Sequence, residues 1–354
     1  MTVARSSSPA SAPGLVRRFR VVGFSLIGIA AYFLFLSFLL GNTATAAQQV
    51  VNALTLGAIY ALVALGYTMV YGIIELINFA HGDVFMVGSF VALWTLTEDP
   101  FWHAIGLGQS APITSIPLLA GTILLTFAVA MVLMATINMA IERFAYRPLR
   151  NAPKVAPLIT AIGVSLILQN VIQIMVGTGD RVVPQLFPNE GFVLLGANVK
   201  FLNLFIFVVA LILLYGLQQF ISRTRLGRAM RATAQDQQAA QLMGVDLNQT
   251  IAMTFLIGGA LAGAAGVFMG QYLGYVRFDL GFNAGLKAFT AAVLGGIGNL
   301  TGAALGGFLI AFLEVFAAAI GQQRWSQAIV FVVLIVVLVF RPAGILGQQI
   351  GERA

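Results

Sequence analysis

The 354-residue chain has no cysteine, few charges and two histidines. The absence of cysteine excludes a disulfide framework and any thiolate-bound metal or cluster. His81 and His103 are too few and too far apart for a zinc cluster. Charged residues make up 9% of the chain, where a soluble domain carries about 25%. The apolar share is 59% and the mean hydropathy is +0.94. Most of the surface is therefore expected to face lipid. The formal charge of +7 does not point to nucleic acid, because no basic patch lies on a soluble domain. In a membrane protein such an excess sets orientation.

A spanning helix needs about 20 mostly apolar residues. Such stretches run over Val21–Leu40, Gln49–Ile73, Asn78–Leu96, Ile116–Ala140, Ala156–Gly177, Phe201–Ile221 and Thr250–Leu273. Leu300–Gly321 is also long enough, whereas Phe282–Ile297 and Trp325–Phe340 are short. The expected fold is an all-α integral membrane protein with eight to ten transmembrane helices, including broken or re-entrant segments. Residues 1–20 are expected to form a disordered N-terminus, 21–347 the membrane domain with a long loop at 222–249, and 348–354 a tail.

Basic residues cluster in alternate connections. Arg5, Arg17, Arg18 and Arg20 precede the first span, and Arg143, Arg147, Arg150 and Lys154 follow the fourth. Arg223, Arg225, Arg228 and Arg231 follow the sixth, and Arg341 and Arg353 follow the last. Glu98, Asp99, Asp180, Glu190 and Asp279 fall on the opposite side. The positive-inside rule then places both termini in the cytoplasm of a bacterial inner membrane. An even number of crossings follows, so Phe282–Ile297 either spans or forms a re-entrant pair with its neighbour. The first span resembles a signal peptide in its basic flank, and Ala44-Thr45-Ala46 offers small residues of a cleavage site. Its apolar run exceeds the usual signal core, which favours a retained anchor.

The loop Arg225–Asn248 reads RLGRAMRATAQDQQAAQLMGVDLN. Ala229–Met243 is rich in helix formers, with Gly244 as its stop. Ala232, Ala239, Ala240 and Met243 share one face at helical spacing. That face suits either a connector lying on the anionic membrane surface or a docking helix for a partner.

Glu75–Asp83 (ELINFAHGD) interrupts apolar sequence with Asn78, His81, Gly82 and Asp83. Two accounts fit: a turn at the cytoplasmic surface, or a helix broken near the midplane whose N-terminus faces a transport pathway. The run Gly295-Gly296-Ile297-Gly298-Asn299 poses the same choice between a tight turn and a close backbone approach. Gly259, Gly263 and Gly266, like Gly57, Ala61 and Ala64, read as helix-packing positions. Glu314 lies within an apolar span and Lys287 in a short one. Glu314 is expected to line a pore or to pair with a cation such as Arg324.

Gln238-Ala239-Ala240, three residues and Gly244 resemble the Glu-Ala-Ala…Gly signature of ABC importer permeases, with Gln238 replacing the usual Glu. Asn52–Val91, the segment with Asp236, Ala240 and Met243-Gly244-Val245, and the stretches Phe255–Gly270 and Ala291–Gly307 are similar to the branched-chain amino-acid permease family. The ending Arg341–Gly347 (RPAGILG) is similar as well. The resemblance covers roughly residues 48–347 and is closer to the first of that family's two permeases. It implies a type II ABC importer permease fold, a second related permease, two cytoplasmic ATPase subunits and an extracytoplasmic substrate-binding protein. It also implies that Asp236, Gln238, Ala239, Ala240, Met243 and Gly244 couple to an ATPase. No GxxxxGK[ST] loop is present, so ATP and magnesium are expected on the partner ATPases and no cofactor on this chain. The implied substrates are branched-chain or other neutral amino acids, with urea or short amides as the alternative within the family. A secondary carrier is disfavoured by the docking signature. A membrane enzyme is disfavoured by the lack of a close His/Asp/Ser constellation.

Overall fold

The computed structural model of the protein describes residues 13–76, 78–97, 116–150, 152–153, 155–187, 190–341 and 343–347. Arg5, Glu98, Asp99, His103, Lys154, Pro188, Pro342, Arg353 and the tail 348–354 lie outside the described residues. The chain is mostly helical. In order come α1 (Pro13–Leu40), α2 (Thr43–Ile74), α3 (Ala80–Leu96), α4 (Ile116–Ile141), α5 (Val155–Val176), α6 (Phe201–Arg223), α7 (Arg225–Gln235), α8 (Gln237–Leu242), α9 (Leu247–Leu273), α10 (Leu280–Gly295), α11 (Leu300–Ala319) and α12 (Ser326–Phe340). α4 continues through a π-helical turn, Glu142–Tyr146, and a 3-10 turn, Arg147–Leu149.

Seven helical stretches are long and apolar enough to cross a membrane: α2, α4 with its extension, α5, α6, α9, α11 and Gln323–Phe340. Ser25–Leu40 and α3 are shorter apolar helices. α10 has 16 residues, about 24 Å of helix against a hydrocarbon core of about 30 Å. It ends in a glycine turn, after which α11 runs back alongside it. α1 begins at Pro13, so residues 13–20, expected to be disordered, are helical. Proline is well suited to a first helical turn, where its missing N–H breaks no bond.

Position in the bundle follows side-chain size. α2 is 94% buried over its apolar window, and α9 is 72% buried. Both are rich in Gly and Ala, which let neighbouring backbones close in. α6 and α12 are only 17% and 11% buried, and their Leu, Ile, Val and Phe side chains face outward. The packing glycines behave as expected. A Cβ at Gly263 would meet the Ala130 carbonyl of α4 at 2.5 Å, and one at Gly57 would meet Phe308 at 2.5 Å.

The connection Thr178–Lys200 contributes strands to two short antiparallel ribbons. β1 (Arg181–Val182) pairs with β4 (Tyr275–Val276), and β2 (Gly191–Leu194) pairs with β3 (Ala197–Lys200). Leu195 and Gly196, both at positive φ, make the two-residue hairpin turn. Asn198 N–H donates to Gln48 Oε1 at 2.9 Å, so this hairpin covers the start of α2. Arg277 pairs with Asp279 and, at 3.9 Å, with Asp180 at the same end. The Asp279 carboxylate raises the Arg277 pKa.

The opposite end gathers the basic loops. Arg150 Nη1 donates to Asn248 Oδ1 at 2.7 Å, joining the end of α4 to the start of α9. Gln237 Nε2 donates to the Ile73 carbonyl at 2.8 Å, placing α8 at the end of α2. Ile345 and Leu346 N–H groups donate to the Leu294 and Gly295 carbonyls, so the C-terminal segment closes the end of α10.

Candidate functional site

The two interrupted motifs meet. Tyr67, Thr68, Tyr71, Leu76, Asn78, Phe289, Ala292 and Ile297 line a small cavity between the end of α2, the connector before α3, and α10 with its glycine turn. Its free space, about 10 Å³, admits roughly one water. Two polar atoms are buried without a hydrogen-bond partner among the described residues on these lining side chains, Thr68 Oγ1 and Asn78 Nδ2. Such orphans are infrequent in folded proteins and call for an explanation, one being a polar guest.

Asn78 is held from the other side. Its Oδ1 accepts from the Tyr146 hydroxyl at 2.7 Å, and Tyr146 itself is buried. Tyr146 ends the π-helical turn of α4, a local widening often found at functional positions. The adjoining Glu142, also buried, accepts from Arg150, which in turn reaches Asn248. The two bonded groups, Asn248–Arg150–Glu142 and Tyr146–Asn78, are joined by the backbone of the π-helical turn that carries both Glu142 and Tyr146.

α3 starts well inside the bundle. Asp83, in its first turn, accepts from Ser165 Oγ and, at 3.1 Å, from Gln169 Nε2. Both donors sit midway along α5. α2 meanwhile continues past this level to Ile74 and reverses at Glu75, which takes positive φ and donates its N–H to the Tyr71 carbonyl. The segment is thus a reversal after α2 followed by a helix whose first turn lies level with the middle of α5. His81 is fully buried, with its ring edge-on to Tyr67 at 4.9 Å. Neither of its nitrogens closes a well-formed hydrogen bond among the described residues, although the ring is turned toward the Val63 carbonyl. The imidazole fills the space where a Gly66 side chain would stand. Gly82 faces backbone: a Cβ there would lie 2.5 Å from the Gly281 carbonyl and 2.9 Å from Gly285 Cα.

Of the glycine run, Gly296 and Gly298 take positive φ, which an L side chain rarely adopts. Gly295 packs on the Gly302 backbone. Asn299 caps α11 by accepting from Gly302 N–H at 3.1 Å and donates to the Leu346 carbonyl at 2.8 Å. Only Ile297 of this run reaches the cavity.

The loop at the basic end departs from the expected single helix over Ala229–Met243. Asp236 is extended, ends α7 and caps α8 by accepting from Ala239 N–H at 3.0 Å. A short aspartate side chain competes for backbone donors better at a cap than inside a helix, and this splits the segment. Ala232 consequently lies on a different helix from Ala239, Ala240 and Met243. Gly244, at φ +84, closes α8: its N–H donates to Gln241 and that of Val245 to Ala240, the paired bonds of a Schellman ending. Gln238, Ala239 and Gly244 are exposed, and Ala240 is buried against the bundle. Leu242 and Met243 are 88% and 85% exposed, although they sit at the polar end of the molecule, away from the lipid-facing belt.

Glu314 pairs with Lys287, at 2.5 Å, and not with Arg324. The antiparallel packing of α10 on α11 brings Lys287 alongside, whereas Arg324 lies beyond the end of α11. No group of three or more metal-ligating side chains is found among the described residues.

A family described as the permease component of branched-chain amino-acid transport systems matches residues 49–338. A high-affinity branched-chain amino-acid transport permease of Pseudomonas aeruginosa, BraD, is 44% identical over 311 residues, covering 86% of this chain and 97% of the relative. The corresponding permease LivH of Escherichia coli is 40% identical over 316 residues, again covering 86% and 97%. A probable LivH of Methanocaldococcus jannaschii is 30% identical over 314 residues, covering 84% and 91%. No solved structure matches the chain.

Proposed function

The chain belongs to the branched-chain amino-acid transport permease family, and from that premise we propose that it carries branched-chain aliphatic amino acids inward as half of an ATP-driven pore. It is a multi-pass transport subunit and not itself an enzyme. The other half of the pore is a second, related permease. Two cytoplasmic ATPase subunits dock at the basic end, and a substrate-binding protein delivers the amino acid at the ribbon-covered end. Both termini are cytoplasmic.

The observation that carries this reading is α8. Two large apolar side chains, Leu242 and Met243, stand almost fully exposed on a short helix fixed by the Asp236 cap and the Gly244 ending. Exposed apolar groups on a rigid, polar tip suit burial in a partner's groove. Gln237 ties that tip to the end of α2, and Arg150 ties the start of α9, which follows α8 in the chain, to the π-helical turn that holds Asn78. A push on α8 therefore reaches the α2 wall through Gln237, and the Asn78 side through the chain into α9 and the π-helical turn. Rigid-body displacement of this kind alternates exposure of a pore without chemistry on the substrate. The substrate pathway passes the cavity, where Asn78 and the turn Gly295–Asn299 meet, with His81, Gly82 and Asp83 fixing the start of α3.

Reconstitution of the assembled complex in liposomes tests the reading. Uptake of leucine, isoleucine and valine should require ATP inside, the second permease and the binding protein. Transport by this chain alone, or uptake of urea and short amides in preference to amino acids, would refute it.

A further inference from the structure

Three side chains from three helices meet at a point that the coupling route leaves unused. Lys287 of α10 donates from Nζ to Glu314 Oε1 of α11 at 2.5 Å, and the Tyr60 hydroxyl of α2 donates to Glu314 Oε2 at 2.9 Å. Lys287 Nζ also lies 6.0 Å from the centre of the Tyr60 ring. Unlike the pairs of Arg277 and of Arg150, which sit at the two ends of the molecule, this pair lies within the helical bundle.

Adhesion between helices does not require it. α10 and α11 already touch backbone to backbone where Gly295 meets Gly302 and where Gly306 meets the Ala291 carbonyl. Charges inside a membrane are expensive and mark substrate routes more often than glue. The pair is also within reach: the Lys287 and Glu314 side chains keep 14% and 20% of their surface exposed. Asn283, one turn before Lys287 on α10, is partly exposed too.

A net-neutral pair offers no advantage to a lone anion or cation, since each would meet repulsion from one member. An α-amino acid zwitterion carries both charges on neighbouring atoms. The geometry points to a transient binding site for the zwitterionic backbone of the transported amino acid, formed by Lys287 and Glu314 and oriented by Tyr60. The substrate carboxylate takes the Lys287 ammonium while the substrate ammonium takes Glu314. All four charges stay paired during the exchange, which avoids the penalty of an uncompensated charge in a low-dielectric setting. The Tyr60 hydroxyl keeps Glu314 in place when Lys287 lets go. No covalent bond changes. This inference rests on the amino-acid import reading and adds to it the part of the substrate that is read inside the pore.

The test uses the whole complex in liposomes with its binding protein, and compares a neutral pair, K287M/E314Q, with a reversed pair, K287E/E314K. Leucine uptake should fall by at least about tenfold in both, with both still co-purifying with the partner subunits. In the reversed pair the zwitterion can bind only turned around, with its side chain misdirected. Full recovery of uptake by the reversed pair would make this a structural ion pair and overturn the proposal, as would unchanged uptake by the neutral one. A second measurement is independent of folding of those variants. The chain lacks cysteine, so N283C is a single labelling site beside the pair. Its modification by a membrane-impermeant thiosulfonate should slow when leucine is delivered by the binding protein, and an unaltered rate overturns the proposal. Failure of the unaltered complex to import any amino acid would instead remove the transport reading itself.

Discussion

Replacing Tyr146 by Phe removes one oxygen from the interior and tests whether the bond to Asn78 transmits force. The Tyr146 ring packs against Phe255 with centroids 5.6 Å apart, and Phe preserves that contact. The loss is therefore confined to a buried hydrogen bond of 2.7 Å. Asn78 already has its Nδ2 without a partner among the described residues, and the substitution orphans its Oδ1 as well. A net bond contributes about 1 kcal/mol, and an orphaned buried acceptor costs about 1–3 kcal/mol. A differential of that size between two conformations shifts their ratio by roughly 5- to 150-fold. The expected outcome in liposomes is a fall in initial leucine uptake of about tenfold, with more ATP hydrolysed per substrate moved. N78A should produce a similar change, and Y146F should add little in the N78A background, because the two side chains share one bond. Independent, additive effects of the two substitutions, or normal coupling in Y146F, would refute the transmission route.

Other substitutions address the remaining parts. In G244V, a β-branched residue is forced to φ +84, a strain of about 1–2 kcal/mol. No neighbouring atom lies within 4 Å of its Cβ, so a loss of uptake with continued ATP hydrolysis isolates the ending of α8, and unchanged uptake removes its coupling role. D236A deletes the cap of α8 at about 1 kcal/mol and should weaken ATPase co-purification; equal recovery at increasing salt counts against it. G82V drives a side chain into the backbone of α10, costing about 1–3 kcal/mol. The thermal midpoint of the purified protein should drop, and an unaltered midpoint would mean that α3 and α10 do not meet backbone to backbone at Gly82.

The spans were legible because lipid requires long apolar runs, and α2, α5, α6 and α9 fall close to the stretches read from the sequence. The clustering of basic residues in alternate connections was legible too: Arg143–Arg150 and Arg223–Arg231 gather at one end, where Arg150 bonds Asn248. The meeting of Asn78 with the glycine turn was not, because residues more than 200 positions apart are joined by packing that composition does not encode. The break at Asp236 was missed for a local reason: good helix formers on both sides concealed a residue better used as a cap. The partner of Glu314 was misjudged because proximity along the chain favoured Arg324, while the antiparallel return of α11 selects Lys287. The outer ribbons left little signal, with strands of two and four residues.

The seam where Gly82 lies on Gly281 and Gly285 has a mechanical consequence. Interlocked side chains must change rotamer before two helices can move past each other, and smooth backbone does not. α3 is pinned to α5 through Asp83, while α10 is bound to the C-terminal segment through Leu294 and Gly295. At Gly82 the contact between α3 and α10 is thus backbone on backbone, with no side chain of its own to interlock. A slide of α3 along α10 at that point needs no rotamer change at Gly82, and a disulfide placed across the seam would act as a brake on it.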